Sequence, residues 1–129
     1  MQLEELIKLD HQKNNSSFTE QDVANSFLSF VNSGAKIFRI RNTIFIVYKS
    51  LGAVVYYHTI NADKTKDFLK SLQEFFALLA NAGYAKAVTF FNNPKLRIFY
   101  KSPDYVADST DKEWTYMGVS ELRSRNGLG

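Results

Sequence analysis

The part of the chain between residues 37 and 60 contains three segments rich in β-branched and aromatic residues, with very short gaps between them. The segments are residues 37–41, 43–48 and 53–60, and residues of these types favour extended backbone. A parallel connection between neighbouring strands needs a crossover of about a dozen residues, which neither gap can supply. The sequence therefore predicts an antiparallel meander of three strands.

A long helix is predicted directly after these strands, over residues 62–82. Its apolar residues fall on one broad stripe at helical spacing. They are Phe68, Leu69, Leu72, Phe75, Phe76 and Leu79. Asn61 or Asp63 could cap the start of this helix, and Gly83 supplies the left-handed residue that commonly follows a helix end.

The N-terminal part of the chain is less strongly patterned. Residues 1–13 mix apolar and charged side chains and fit either a short helix or an edge strand, and the polar residues 11–17 predict a loop. Thr19, with Asp22 three positions later, resembles a capping box and begins a second helix. The pair Ser33-Gly34 ends that helix.

The C-terminal third continues the sheet. Strands are predicted at residues 87–91, 105–107 and 114–119, with a polar turn at 108–112 and a short helix at 95–102 between Pro94 and Pro103. We therefore expect an α/β (α+β) domain over residues 1–119, with a mixed, mostly antiparallel sheet and helices on both faces. A polar tail over residues 120–129 follows it.

Composition excludes several classes of site. The 129 residues include no Cys, which excludes thiolate zinc sites, iron–sulfur clusters and cysteine nucleophiles, and with two His we expect no metal site. The net charge of +3 comes from scattered Lys and Arg, so nucleic-acid binding is not expected. No apolar run approaches the roughly 18 residues of a membrane span. We expect a cytoplasmic protein without membrane contact.

Residues 93–105 carry a local pattern that adds to the order of elements. They contain Asn93, Leu96, the pair Phe99-Tyr100, and then Asp104-Tyr105. Together these features resemble the GNAT superfamily of N-acetyltransferases, over about residues 18–119. Members of that family often have an Asn after the fifth strand, an apolar residue three positions on, an aromatic–Tyr pair and then Gly-Phe. Asp104-Tyr105 stands where the family has Gly-Phe.

The resemblance implies acetyl-CoA as the cofactor and indicates which residues would act on it. Tyr100 matches the general acid that protonates the departing CoA thiolate, although a tyrosine packed on the sheet fits the pattern as well. The family binds the pyrophosphate with a [Gln/Arg]-x-x-Gly-x-[Gly/Ala] loop between its fourth strand and the long helix. Residues 59–65 take that place here, and they contain no glycine. The candidate cofactor-binding residues are Asn61, Lys64, Thr65, Lys66 and Asn93.

Each of these candidates also has a purely structural interpretation. Lys64 and Lys66 could attract an anionic ligand to the helix start, or they could be solvated lysines compensated by neighbouring acids. Asn93 precedes a proline and could cap a helix. Histidine side chains ordinarily titrate near neutral pH, so His58 is a candidate general base, but a single histidine on an apolar strand face also fits a structural role.

Two functions follow from these observations. The missing glycine loop favours a diverged, non-catalytic GNAT-like protein that acts as a binding or structural module. The alternative is an acyl-CoA-dependent N-acyltransferase of unknown substrate. Small diverged proteins of this kind occur in tailed phages, and a phage protein would reside in the host cytoplasm or the virion.

A protein partner is also predicted, because nineteen aromatic side chains are more than one small core is expected to bury. The partner would be a second copy of the chain or another protein. The predicted contact surface includes Tyr56 or Tyr57 and the final strand around Trp114 and Tyr116.

Overall fold

A computed structural model of the chain describes residues 1–14, 19–91, 107–110 and 113–122. The helices are α1 (Leu3–Asn14), α2 (Glu20–Asn32) and α3 (Thr65–Asn81). The strands are β1 (Lys36–Ile40), β2 (Thr43–Leu51), β3 (Val54–Asn61), β4 (Lys86–Phe91), β5 (Ala107–Thr110) and β6 (Glu113–Glu121). Within the described ranges, no helix is long and apolar enough to cross a membrane.

The strands form one mixed sheet in the order β1-β2-β3-β4-β6-β5. Antiparallel pairing joins β1 to β2, β4 to β6, and β5 to β6. Strands β3 and β4 are parallel, with Val55 opposite Ala87, because α3 connects them as a crossover. The predicted fold class, a mixed and mostly antiparallel sheet with helices, is confirmed.

The described chain divides into two compact units. The first consists of Met1–Tyr48 and His58–Phe75, and the second of Lys49–Tyr57 and Phe76–Gly129. Strands β2 and β3 and helix α3 each contribute residues to both units. The single domain over residues 1–119 stays a prediction.

In the first unit, helices cover both faces of the sheet. Alternate residues of a strand point to opposite faces. On one face, Ile44 and Ile46 of β2 pack in a buried cluster with Leu6 and Ile7 of α1, and side chains of α2 lie against it. On the other face, Phe45 stacks on Phe75 of α3 with ring centroids 4.2 Å apart.

The described part of the second unit has a core of its own. Val55 of β3, Ala87 and Val88 of β4 and Leu79 of α3 are buried there. Tyr57 is 1% exposed and meets Phe76 edge-on, with ring centroids 6.1 Å apart. The predicted contact surface therefore cannot include Tyr57, because its ring belongs to this core.

Tyr56 is half-buried, and the ammonium of Lys49 lies 5.4 Å from the centre of its ring. Tyr56 therefore stays a candidate for the contact surface. The side chains of Trp114 and Tyr116 lie outside the described part of the structure.

Helix ends largely follow the predicted caps. The N-cap Thr19 accepts the backbone N–H of Asp22, and the Asp22 side chain accepts the backbone N–H of Thr19, so the capping box of α2 is confirmed. Gly83 follows α3 with a φ of 97°, as predicted. The helix itself begins at Thr65, three residues later than predicted, so the residue directly before it is Lys64 and not the predicted cap, Asn61 or Asp63.

Other predicted boundaries also differ from the structure. Helix α1 continues to Asn14 where a loop was predicted from His11, because polar residues continue a helix readily once its apolar face is anchored. Strand β5 covers Ala107–Thr110, so residues 108–110 of the predicted turn pair with β6, and residues 111 and 112 lie outside the described ranges. Strand β6 runs on to Glu121, two residues into the predicted tail. The short helix predicted at residues 95–102 lies outside the described residues.

Candidate functional site

The junction between β3 and α3 lies where the sequence resemblance places a cofactor loop, and Asn61 shapes it. The side-chain oxygen of Asn61 accepts the backbone N–H of Asp63 at 2.8 Å, and its amide donates to the Asp63 carbonyl at 3.1 Å. These two bonds fold the chain tightly around the Asn61 side chain, as asparagine commonly does in turns. The junction therefore takes its shape from its own side chain.

A carboxylate lies buried beneath this turn. Asp63 is 9% exposed, and its Oδ2 accepts the backbone N–H of Asn42 at 2.9 Å. The hydroxyl of Thr43 lies 3.2 Å from the same oxygen and 2.8 Å from Oδ1 of Asn61, so its one hydrogen serves two acceptors. Asp63 therefore connects the junction to the turn between β1 and β2.

The backbone donors of the junction point into the protein. The N–H of Asn61 donates to Oδ1 of Asp10 in α1 at 2.8 Å. The N–H of Ala62 donates to the carbonyl of Asn42 at 2.9 Å, and the N–H of Asp63 to the side chain of Asn61. Three consecutive N–H groups are thus satisfied by acceptors of the chain itself.

The first turn of α3 is solvated. Lys64, Thr65, Lys66 and Asp67 are all exposed. Because Asp63 and Asp67 flank the two lysines, the net charge of residues 63–67 is zero. Among the described residues, no group of three or more His, Cys, Asp or Glu side chains could hold a metal ion.

Arg41 connects the turn between β1 and β2 to α3 by hydrogen bonds. The guanidinium of Arg41 donates to both carboxylate oxygens of Glu74, at 2.9 and 3.1 Å, and to Oγ of Ser71 at 3.1 Å. The hydrogen bond to Glu74 raises the pKa of Arg41. Arg39, in turn, donates to the carbonyls of Arg41 and Met1. Both arginines are held by internal acceptors.

His58 lies in β3, three residues before Asn61, and its imidazole is 6.4 Å from the ring of Phe30 in α2. The residue keeps solvent-accessible surface, yet the protein atoms around the ring desolvate it and lower the pKa of His58 below its ordinary value. The neutral imidazole is therefore favoured. Its role as a general base stays a prediction.

Acid should weaken the fold through His58. Because its pKa is lower in the folded than in the unfolded chain, its contribution to stability is complete above the unfolded value of about 6.5 and is lost as the pH falls towards the folded value. We expect the free energy of unfolding, measured with urea across this range, to fall less steeply in His58→Gln than in the wild type. The difference should be small because the residue remains exposed, and equal slopes would contradict the prediction.

Only some of the predicted site residues lie in the described part of the structure. Asn61 and the residues Lys64–Lys66 lie at one junction, whereas Tyr100 and Asn93 lie outside the described residues. Sequence reasoning missed Asp10 and Thr43, which hold this junction together. The sequence did contain a signal for Asp10, because this charged residue lies at helical spacing from Leu6 and Ile7 on the apolar stripe of α1.

The comparisons with known proteins find likeness in structure. No protein-family model matches the chain, and no curated protein matches its sequence. An N-acetyltransferase from Staphylococcus aureus Mu50 is 10% identical, with a TM-score of 0.54 over 94% of each chain. The ribosomal-protein-S18-alanine N-acetyltransferase from Escherichia coli is 12% identical, with a TM-score of 0.58 over 100% of this chain and 94% of that one. The protein smu.2055 from Streptococcus mutans UA159 is 13% identical, with a TM-score of 0.50 over 94% and 95% of the two chains.

At this level of identity the likeness is one of fold. It extends over nearly the whole length of each neighbour. It also agrees with the mixed, mostly antiparallel sheet and the helices observed in the chain. The chain has the fold of the GNAT N-acetyltransferases.

Proposed function

We propose that this chain is a GNAT-fold protein that acts as a non-catalytic binding or structural module and does not use acetyl-CoA. One observation carries the proposal. The backbone N–H groups of Asn61, Ala62 and Asp63, at the junction where the family would hold the cofactor's pyrophosphate, all donate to acceptors of the chain itself. A phosphate arriving there would find these donors already used.

Electrostatics support the same conclusion. The carboxylate of Asp63 lies buried at this junction and adds negative charge where the cofactor would bring more. A phosphate at about 4 Å from a carboxylate is repelled by about 4 kcal/mol at an effective dielectric constant of about 20. The exposed Lys64 and Lys66 are screened by water and offset only part of this repulsion. The residues at the junction do not fit the pyrophosphate of acetyl-CoA.

The second candidate is an acyl-CoA-dependent N-acyltransferase. It is favoured by the fold, which the chain shares with the alanine N-acetyltransferase from E. coli, and by the two lysines in the first turn of α3. In that case Tyr100 would serve as the general acid that the family resemblance implies. This enzyme would have to hold its cofactor by contacts other than those of the junction.

A module of this kind needs a partner, and we propose another protein or a second copy of the chain. Support comes from apolar side chains on the outer face of α2, where Leu28 and Val31 lie three positions apart and are both exposed. Tyr56 is a further candidate contact. The phage origin and the virion location, which came from the sequence resemblance, stay predictions.

Calorimetric titration with acetyl-CoA tests the proposed function. We expect no heat of binding with the ligand at millimolar concentration, because the N–H groups of residues 61–63 already donate to the chain and the carboxylate of Asp63 repels the pyrophosphate. Free CoA should give the same result, since it carries the same pyrophosphate. Saturable heat with a stoichiometry near one would contradict the proposal and favour the acyltransferase.

A further inference from the structure

We infer that Asn61 and Asp63 act as a built-in substitute for a bound anion, so that these two side chains close the junction against anionic cofactors. The inference rests on the proposed function and names the residues responsible for it. Their oxygens accept the donors of the junction and of the adjoining turn, namely the N–H groups of Asp63 and Asn42 and the hydroxyl of Thr43. In an anion-binding loop, such donors face the ligand.

The spacing of the two residues supports this role. Asn61 and Asp63 stand two positions apart, as do the two small residues in the [Gln/Arg]-x-x-Gly-x-[Gly/Ala] loop, and His58 then stands at the Gln/Arg position. Glycines allow the backbone to approach a phosphate closely because they carry no side chain. At the same two positions, this chain has side chains that supply the oxygen atoms themselves.

The first turn of α3, next to Asn61 and Asp63, would by itself favour an anion. Lys64, Thr65 and Lys66 are exposed at the first turn of α3, where the helix dipole and two ammonium groups provide positive potential.

Asp63 supplies a carboxylate, and Asn61 supplies the acceptor for the N–H of Asp63. The N–H groups of Asn61 and Ala62 donate to Asp10 and to the carbonyl of Asn42. Of the groups that fill the junction, only Asn61 and Asp63 stand at the two small-residue positions of the family loop, so replacing these two side chains opens the place of residue 63 to an anion.

The double variant Asn61→Gly/Asp63→Gly tests this inference in the full-length chain, with inorganic pyrophosphate and CoA as probes. The substitutions remove the carboxylate and free the N–H of residue 63. We expect the variant to unfold at a lower temperature than the wild type. At a ligand concentration of about ten times the Kd, its Tm should rise by roughly 4 °C, whereas the Tm of the wild type should not change.

Two controls separate specific binding from other effects. Sodium chloride at matched ionic strength should leave the Tm of the variant unchanged, since screening alone is not binding. Asn61→Gly alone retains the carboxylate and should show no response to pyrophosphate. The milder pair Asn61→Gly/Asp63→Ser keeps an uncharged hydrogen-bond acceptor at position 63, and it replaces the first variant if that one does not fold.

Each outcome decides one claim. If the wild type itself binds acetyl-CoA, the proposed function fails. If the wild type does not bind and a folded double variant shows no rise in Tm with millimolar pyrophosphate or CoA, the inference about Asn61 and Asp63 is overturned. Loss of folding in both double variants that pyrophosphate does not restore also overturns it, because an anion in the place of these side chains should rebuild the junction.

Discussion

Replacing Asp63 by alanine should lower the free energy of unfolding by about 3 kcal/mol. The carboxylate is 9% exposed and accepts the N–H of Asn42 and the hydroxyl of Thr43. Alanine would leave these donors without this acceptor in a region that water reaches poorly, which is more costly than the loss of a surface hydrogen bond. Urea unfolding followed by circular dichroism measures the change.

Asp67→Ala is the matched control, since Asp67 is also a carboxylate near the start of α3 but is exposed. It should change the free energy of unfolding by no more than about 0.5 kcal/mol, the usual effect of a surface substitution. Equal effects of the two substitutions would show that the buried hydrogen bonds of Asp63 contribute nothing beyond its charge at the helix start.

Phe75→Ala should have the largest effect, with a loss of about 4 kcal/mol in the free energy of unfolding. The side chain is 0% exposed, and its ring stacks on Phe45 at 4.2 Å and lies 5.9 Å from Phe38. Removing it takes away the buried apolar area, leaves a cavity and breaks two aromatic contacts. Thermal and urea unfolding should both report the loss.

Leu78→Ala provides the comparison on the same helix, because Leu78 is 48% exposed. The expected change is within about 0.5 kcal/mol. A loss at Phe75 no larger than that at Leu78 would mean that α3 does not bury the face that its apolar stripe defines. The burial of Phe75 against Phe45 would then contribute nothing to the stability of the fold.

Periodic features of the chain could be predicted from the sequence. The stripe of α3 placed Phe68, Leu72 and Phe75 on one face, and all three are buried. The short gaps between the strands of the meander and the capping box of α2 also involve residues that are close in sequence. Each of these features depends on residues within a few positions of one another, so the sequence pattern contains all the information that the structure uses.

The junction could not be predicted in the same way. Its closure depends on Asp10 reaching the N–H of Asn61 across 51 positions of the chain, and on Asn42 reaching Asp63 across 21. Such hydrogen bonds form only after α1 and the strands have packed. The sequence showed that glycine was missing from residues 59–65, but it did not show which groups replace the ligand.

The turn at Arg41 has a consequence for the order in which the protein folds. Arg41 adopts a φ of 55° in the two-residue connection between β1 and β2, a conformation that glycine adopts without strain and arginine avoids. Its compensating bonds go to Ser71 and Glu74, more than 29 positions later. The isolated hairpin therefore lacks a favourable turn, and we expect β1 and β2 to pair stably only when α3 docks. The hairpin would thus be a late product of folding and a poor nucleus for it.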